Sequence, residues 1–262
     1  MSKYLKMHTD ASFKMYLVVF VVITIYFLIY LFETIIMQKN IYDFLLQMKD
    51  MLTISYVVIP LFLILLANSI SANSLNSFQL LRFHNKSTYY NKIIQSIIFM
   101  ATKFLLLVII IMIGLSLFSL DFQNEWSTFA TTYFKNSPFL LQNYLPLQIV
   151  IISLSLLWLF LICLGIFYFV LLIVTKSTVL SLVGVVSLVI FNMAMTLSQI
   201  DFINAVLFTK HLDFLQYIYG HNTRAVIFPF ELYMYWIILF MSLYIIGFRL
   251  IHKLDLDVKK GE

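Results

Sequence analysis

The residue types that carry covalent chemistry are present in this chain, but not in the spacings such chemistry uses. Five histidines, His8, His84, His211, His221 and His252, are scattered along it. His211 and His221 could approach each other, yet two imidazoles without further ligands make a poor metal site. There is no H-E-x-x-H, no pair of cysteines and no G-x-S-x-G. The six glycines supply no G-x-x-x-x-G-K-[ST] phosphate loop, so no catalytic residue, metal or cofactor is expected on this chain, and no nucleotide hydrolysis of its own. The lone cysteine, Cys163, lies in an apolar run and reads as a small buried apolar residue.

Two features inside apolar runs stand apart from plain packing. Lys103 is a charge within a long hydrophobic stretch, where it would line a substrate path, pair with a neighbour, or snorkel to the interface. Snorkelling or pairing is the preferred reading, because its stem need reach back only about ten residues of helix, roughly 15 Å. Pro60 lies near the middle of another run, where it removes a backbone bond and bends the axis.

The elements that would hold these residues follow from composition. Of 262 residues, 62% are hydrophobic and 11% charged, with a mean hydropathy of +0.97. Soluble domains carry about 25% charged residues. Several apolar runs exceed the ~20 residues that cross a hydrocarbon layer about 30 Å thick, and backbone groups in lipid must bond internally. The fold class expected is therefore an all-α membrane protein with six transmembrane helices, at about 15–32, 51–70, 93–120, 147–174, 179–197 and 231–251, in one transmembrane domain over 1–262. The first run lacks a small-x-small cleavage site and reads as a retained span preceded by an amphipathic N-terminal arm. Between the fifth and sixth spans, 200–208 and 211–219 are half apolar and too short to cross, which suits two short external helices, re-entrant or surface-lying.

Orientation comes from the lysines and arginines. Counted on alternate sides of the six spans they divide eleven against five, with Lys103 inside a span. The positive-inside rule then places both termini in the cytoplasm. The net charge of +5 thus serves membrane orientation, and nucleic acid is not an expected partner.

The stretch with most to say about function is 73–92, between the second and third spans, which carries Arg82, Lys86, Lys92 and His84 and no acidic residue. Leu80, Leu81 and Phe83 sit beside the basic residues, as on a short amphipathic helix. Such a helix either rests on the inner leaflet or inserts its apolar face into a groove on a soluble partner, with Arg82 and Lys86 meeting acidic groups or anionic headgroups.

Leu81-Arg82-Phe83, followed by Ser87, Tyr89-Tyr90 and Lys92, resembles the coupling segment of ABC-2 type permeases, the membrane subunits of ATP-driven exporters. Phe248-Arg249 with Lys253-Leu254-Asp255 is similar to the close of their sixth span. The six-span layout covers the whole chain, whereas the motif covers about twenty residues, and Asn85-Lys86 departs from the more usual second basic pair. The resemblance implies a coupling helix through Leu80, Leu81, Arg82, Phe83, Lys86, Ser87, Tyr89 and Tyr90, docking on an ABC ATPase subunit that holds the ATP and Mg. It also implies a second permease copy or paralogue, contact with membrane lipid, a cell (plasma) membrane location in a bacterium, and export of an amphipathic or antimicrobial peptide or another hydrophobic substrate. An ATP-independent secondary carrier and a non-transporting scaffold or sensor are the alternatives. A carrier would normally bury several carboxylates in its spans, whereas here Asp and Glu sit in connections, the tail or span edges.

Overall fold

A computed structural model describes residues 2–71, 85–135, 138–197, 207–215 and 229–253, the side chains of 2–13, 138–140 and 196–197 excepted. Among these residues every regular element is helical: α1 (Ser2–Ile36), α2 (Ile41–Leu46), α3 (Met51–Thr53), α4 (Ile59–Ser69), α5 (Lys86–Ser116), α6 (Thr128–Tyr133), α7 (Pro138–Asn143), α8 (Pro146–Thr175), α9 (Thr178–Leu197), α10 (Phe208–Leu212) and α11 (Phe230–Lys253). Six stretches are long and apolar enough to cross a membrane: Lys14–Ile36, Met51–Ser69, Lys86–Ser116, Pro146–Thr175, Thr178–Met195 and Phe230–Lys253. This is a multi-pass helical membrane protein.

The fourth span, α8, is the centre of the bundle, with α11, α9, α5 and α4 packed around it. Its apolar residues continue all round the helix, as a fully surrounded helix requires. The outer helices instead leave Ile25, Ile29, Ile110, Ile190 and Ile238 exposed, the pattern of surfaces that face lipid. Three polar side chains within the spans find partners across helices, as hydrocarbon favours. Trp158 Nε1 donates to Thr102 Oγ1 at 3.0 Å, Tyr168 OH to the Ile70 carbonyl at 2.8 Å, and Tyr26 shares a 2.9 Å bond with Thr53.

Gly165 in α8 allows the tightest crossing. A Cβ there would lie 2.5 Å from Ile97 Cγ2 of α5 and 3.6 Å from Phe62 Cζ of α4. The missing side chain lets Ile97 pack directly against the backbone of α8.

Several expectations change in detail. The third span begins at Lys86, not 93, and ends at Ser116, not 120. Polar residues 86–92 are helical because the helix runs on beyond its apolar portion, with Asn85 Oδ1 capping it through the Ser87 amide at 3.0 Å. These residues are the first turns of a span, and not part of a separate surface helix. The N-terminal arm is likewise no separate element, since α1 is one helix of 35 residues. The second span is interrupted by a π-turn, Ile54–Val58, immediately before Pro60. The wider turn relieves the clash between a proline ring and the carbonyl four residues back, so the expected disturbance at Pro60 takes the form of a bulge. The two external helices expected at 200–208 and 211–219 are not separated where expected, since Phe208–Leu212 is helical across 209–210, while 200–206 and 216–228 fall outside the described residues.

The end of the bundle opposite the termini is closed by α2, α6, α7 and α10. Asn40 caps α2 by accepting from the Tyr42 and Asp43 amides, and its Nδ2 donates to the Glu125 carbonyl at 2.7 Å. Ser127 Oγ donates to Asp43, and Trp126 Nε1 to the Tyr144 carbonyl at 3.0 Å. The connections after spans one and three are thereby joined.

Burial pushes the Asp43 carboxyl above its usual value of 3.8, against the opposing pull of hydrogen bonds from Ser127 and Asn40 and of the Lys39 charge. The native state then binds more protons than the unfolded chain above that value. Stability should accordingly fall as pH rises through the raised value. Asp43→Asn retains an acceptor for Ser127 and carries no charge, so its thermal midpoint should lack this fall above about pH 4. Parallel pH profiles for the variant and the parent protein would disprove the assignment.

Candidate functional site

The bundle presents two sites, one at each end. At the end that carries the termini, the start of α5 is bonded to the last turns of α11. Lys86 Nζ donates to the His252 carbonyl at 3.2 Å. His252 Nδ1 lies 2.7 Å from the Phe248 carbonyl, which accepts only, so in neutral His252 the proton sits on Nδ1. Nε2 then accepts from Ser87 Oγ at 3.1 Å. One turn deeper, Tyr90 OH donates to the Tyr244 carbonyl at 2.9 Å, and Tyr244 OH to Asn91 Oδ1 at 2.7 Å. Gly247 makes room for the phenol, since a Cβ there would lie 2.6 Å from Tyr90 OH.

The expected coupling residues therefore divide. Leu80, Leu81, Arg82 and Phe83 lie outside the described residues. Lys86 and Ser87 are half-buried against His252. Tyr89 and Tyr90 are buried within the bundle, so their side chains hold α5 in place and offer no surface to a soluble partner. Lys103 faces outward from α5 with Nζ 4.3 Å over the Phe99 ring, one turn nearer the helix start. That direction is the one a snorkelling lysine takes, and it leads away from the bundle interior. Pro60 is half-buried directly after the π-turn.

At the opposite end lie two cavities. A basin of about 500 Å³ carries the charged groups Lys39, Asp43, Lys49, Asp50 and Asp213 among aliphatic side chains and aromatic rings that include Phe129 and Tyr133. Lys49 Nζ reaches Asp213 Oδ1 at 2.5 Å, tying the connection before span two to the one before span six. Lys39 pairs with Glu33 at 3.1 Å and lies 4.6 Å over the Phe129 ring. An apolar cleft of about 300 Å³ opens between α8, α9 and α11, lined by residues such as Phe160, Leu164, Phe191, Trp236 and Leu239. Its lining residues with polar side-chain atoms are Cys163, Asn192, Tyr235 and Trp236. His211 stacks on Tyr235 with ring centroids 3.7 Å apart, and its carbonyl accepts from Trp236 Nε1 at 3.0 Å. His221 is outside the described residues. Among the described residues no three His, Cys, Asp or Glu gather as a metal site.

Sequence reading missed both cavities. The mixed charges of 33–50 were their only signal, and nothing in the order of residues says that Lys49 meets Asp213, 164 positions away.

The chain is 36% identical over 249 residues to the uncharacterized protein BH0177 of Halalkalibacterium halodurans, covering 95% of this chain and 92% of that one. It belongs to the same family. The alignment runs over nearly the whole length of both proteins. No family model matches the chain, and no solved structure matches it.

Proposed function

We propose that this member of the BH0177 family is the transmembrane permease subunit of an ATP-driven exporter of ABC-2 type. It works as a dimer of permease chains, identical or paralogous, with separate ABC ATPase subunits that bind ATP and Mg. Its termini face the cytoplasm of a bacterial cell, and its substrate is an amphipathic or antimicrobial peptide, or a comparable hydrophobic molecule, moved outward. The basic segment with Arg82 and Phe83 docks on the ATPase.

One observation carries the reading beyond the resemblance in sequence. Lys86 and Lys92 of the basic segment lie in α5 itself, whose first turns are bonded to the end of α11 through Lys86, Ser87 and Tyr90. A push on that segment therefore enters the third and sixth spans together. Both are in contact with the central α8, so the whole bundle is within reach of the movement. Lys103 enters this reading as an interfacial anchor and takes no part in the substrate path.

The test is a mild-detergent pull-down of the tagged chain from its native membranes, run beside an Arg82→Ala/Phe83→Ala variant, with partners identified by mass spectrometry. A soluble ATPase is expected with the parent chain, and at least tenfold less of it with the variant, about 1.4 kcal/mol of docking energy. Recovery of the chain without an ATPase, under conditions that preserve known complexes, would reject the exporter assignment in favour of an ATP-independent carrier.

A further inference from the structure

The charge-bearing basin and the apolar cleft share one wall. Phe208, the first residue of α10, lines both. It is 9% exposed and stacks on Phe160 of α8 with centroids 5.1 Å apart and ring planes at 29°. It is the one residue common to the two linings.

The chemistry of each half is different. The cleft is bounded by aliphatic and aromatic carbon and contains no charged residue, so it favours hydrocarbon. Its mouth lies on the outer surface of the bundle, where Phe191 and Leu188 line the cleft while remaining 56% and 41% exposed. An alkyl chain could thus enter sideways from the bilayer without crossing water. In the basin, three carboxylates face two lysines, and the lysines already hold ion pairs with Asp213 and Glu33. A head carrying both a cationic and an anionic group meets carboxylates and lysines at once, its cation offsetting the surplus of carboxylates.

We propose that the two cavities form one bipartite site for a single-chain zwitterionic amphiphile, its alkyl chain between α9 and α11, its head in the basin, and Phe208 the movable partition between them. The site rests on the two cavities and not on the exporter assignment. It is tested on the purified chain without an ATPase, so either conclusion can fail without the other.

Trp236 makes the test direct, since it lines the cleft and is only 1% exposed. The full-length chain with Trp126→Phe and Trp158→Phe would be placed in lipid nanodiscs, leaving Trp236 as its only indole. Lysophosphatidylcholine brominated along its chain would then be titrated in. Saturable quenching of Trp236 is expected, with half-saturation at least roughly tenfold higher in Leu164→Phe/Leu239→Phe, which fills the cleft. Lys49→Gln/Asp213→Asn, which leaves the cleft intact, should also weaken saturation by several-fold. Phe208→Ala, which removes the partition, should strengthen it. Quenching that rises linearly and equally in the filled variant would mean contact with surrounding lipid only, and would overturn the site. Equal quenching by chain-brominated diacyl phosphatidylcholine at the same chain concentration would overturn the selection for one chain. A basin variant indistinguishable from its parent would overturn the placement of the head.

Discussion

Tyr90→Ala is expected to lower the stability of the bundle by about 3–5 kcal/mol, the loss typical of removing a large buried aromatic side chain. The ring is fully buried and is packed by Phe169 of α8 and by Tyr244 and Phe248 of α11, at centroid distances of 6.0, 5.2 and 5.9 Å. Its hydroxyl reaches the Tyr244 carbonyl, so one side chain joins three spans. Tyr90→Phe keeps the ring and gives up the hydrogen bond, for which a loss of about 1 kcal/mol is expected. The difference between the two variants isolates the packing. Thermal midpoints in detergent, measured on both, decide the matter; an alanine variant no weaker than the phenylalanine one would show that the ring is not part of the joint. In the exporter reading, Tyr90→Ala should also uncouple ATP hydrolysis from export while leaving ATPase capture intact, because Arg82 and Phe83 are untouched.

Gly165→Ala should prove costly for so small a change, by about 1–3 kcal/mol, as overpacking of a filled core does. The added methyl would lie 2.5 Å from Ile97 Cγ2, a distance that obliges α5 and α8 to separate or Ile97 to leave its rotamer. The clash is with one named atom, which gives the prediction its control. Leucine has no methyl on Cβ, so Ile97→Leu removes the offending carbon while keeping the volume of the side chain. The double variant Gly165→Ala/Ile97→Leu should recover most of the loss seen in Gly165→Ala alone. Simple addition of the two single effects in thermal unfolding would count against the close crossing.

The spans are legible in the sequence because hydrocarbon imposes a length and a composition, and both survive in a linear reading. Hydropathy marks where a chain meets lipid, not where a helix starts. Lys86, Asn91 and Lys92 therefore read as part of a polar surface segment before the third span although they are the opening turns of α5. Pro60 announces a disturbance, but whether it becomes a kink or the observed π-turn depends on what packs around it. Lys103 announces a charge in a span, and only the rotation of α5 within the bundle decides that it faces outward. Of the expected coupling residues, Tyr89 and Tyr90 show most clearly what composition cannot say. An aromatic pair next to a basic residue suits a docking surface and a buried joint equally well, and burial alone separates the two. The basin and the cleft were illegible for a different reason, since each is assembled from connections and spans far apart in the chain.

The 31 residues of α5 make a rod about 46 Å long, against a hydrocarbon layer of about 30 Å. An upright α5 would thus project some 16 Å beyond the hydrocarbon as stiff helix. Its contact with Gly165 falls at Ile97, about 16 Å from the Lys86 end and about 28 Å from the Ser116 end. That is the geometry of a lever with unequal arms and a glycine for its fulcrum. A tilt that moves the short arm by 1 Å would swing the far end by roughly 1.7 Å in the opposite sense, if the rod stays rigid. The far end leads into the connection whose Ser127 is bonded to Asp43 on the wall of the basin.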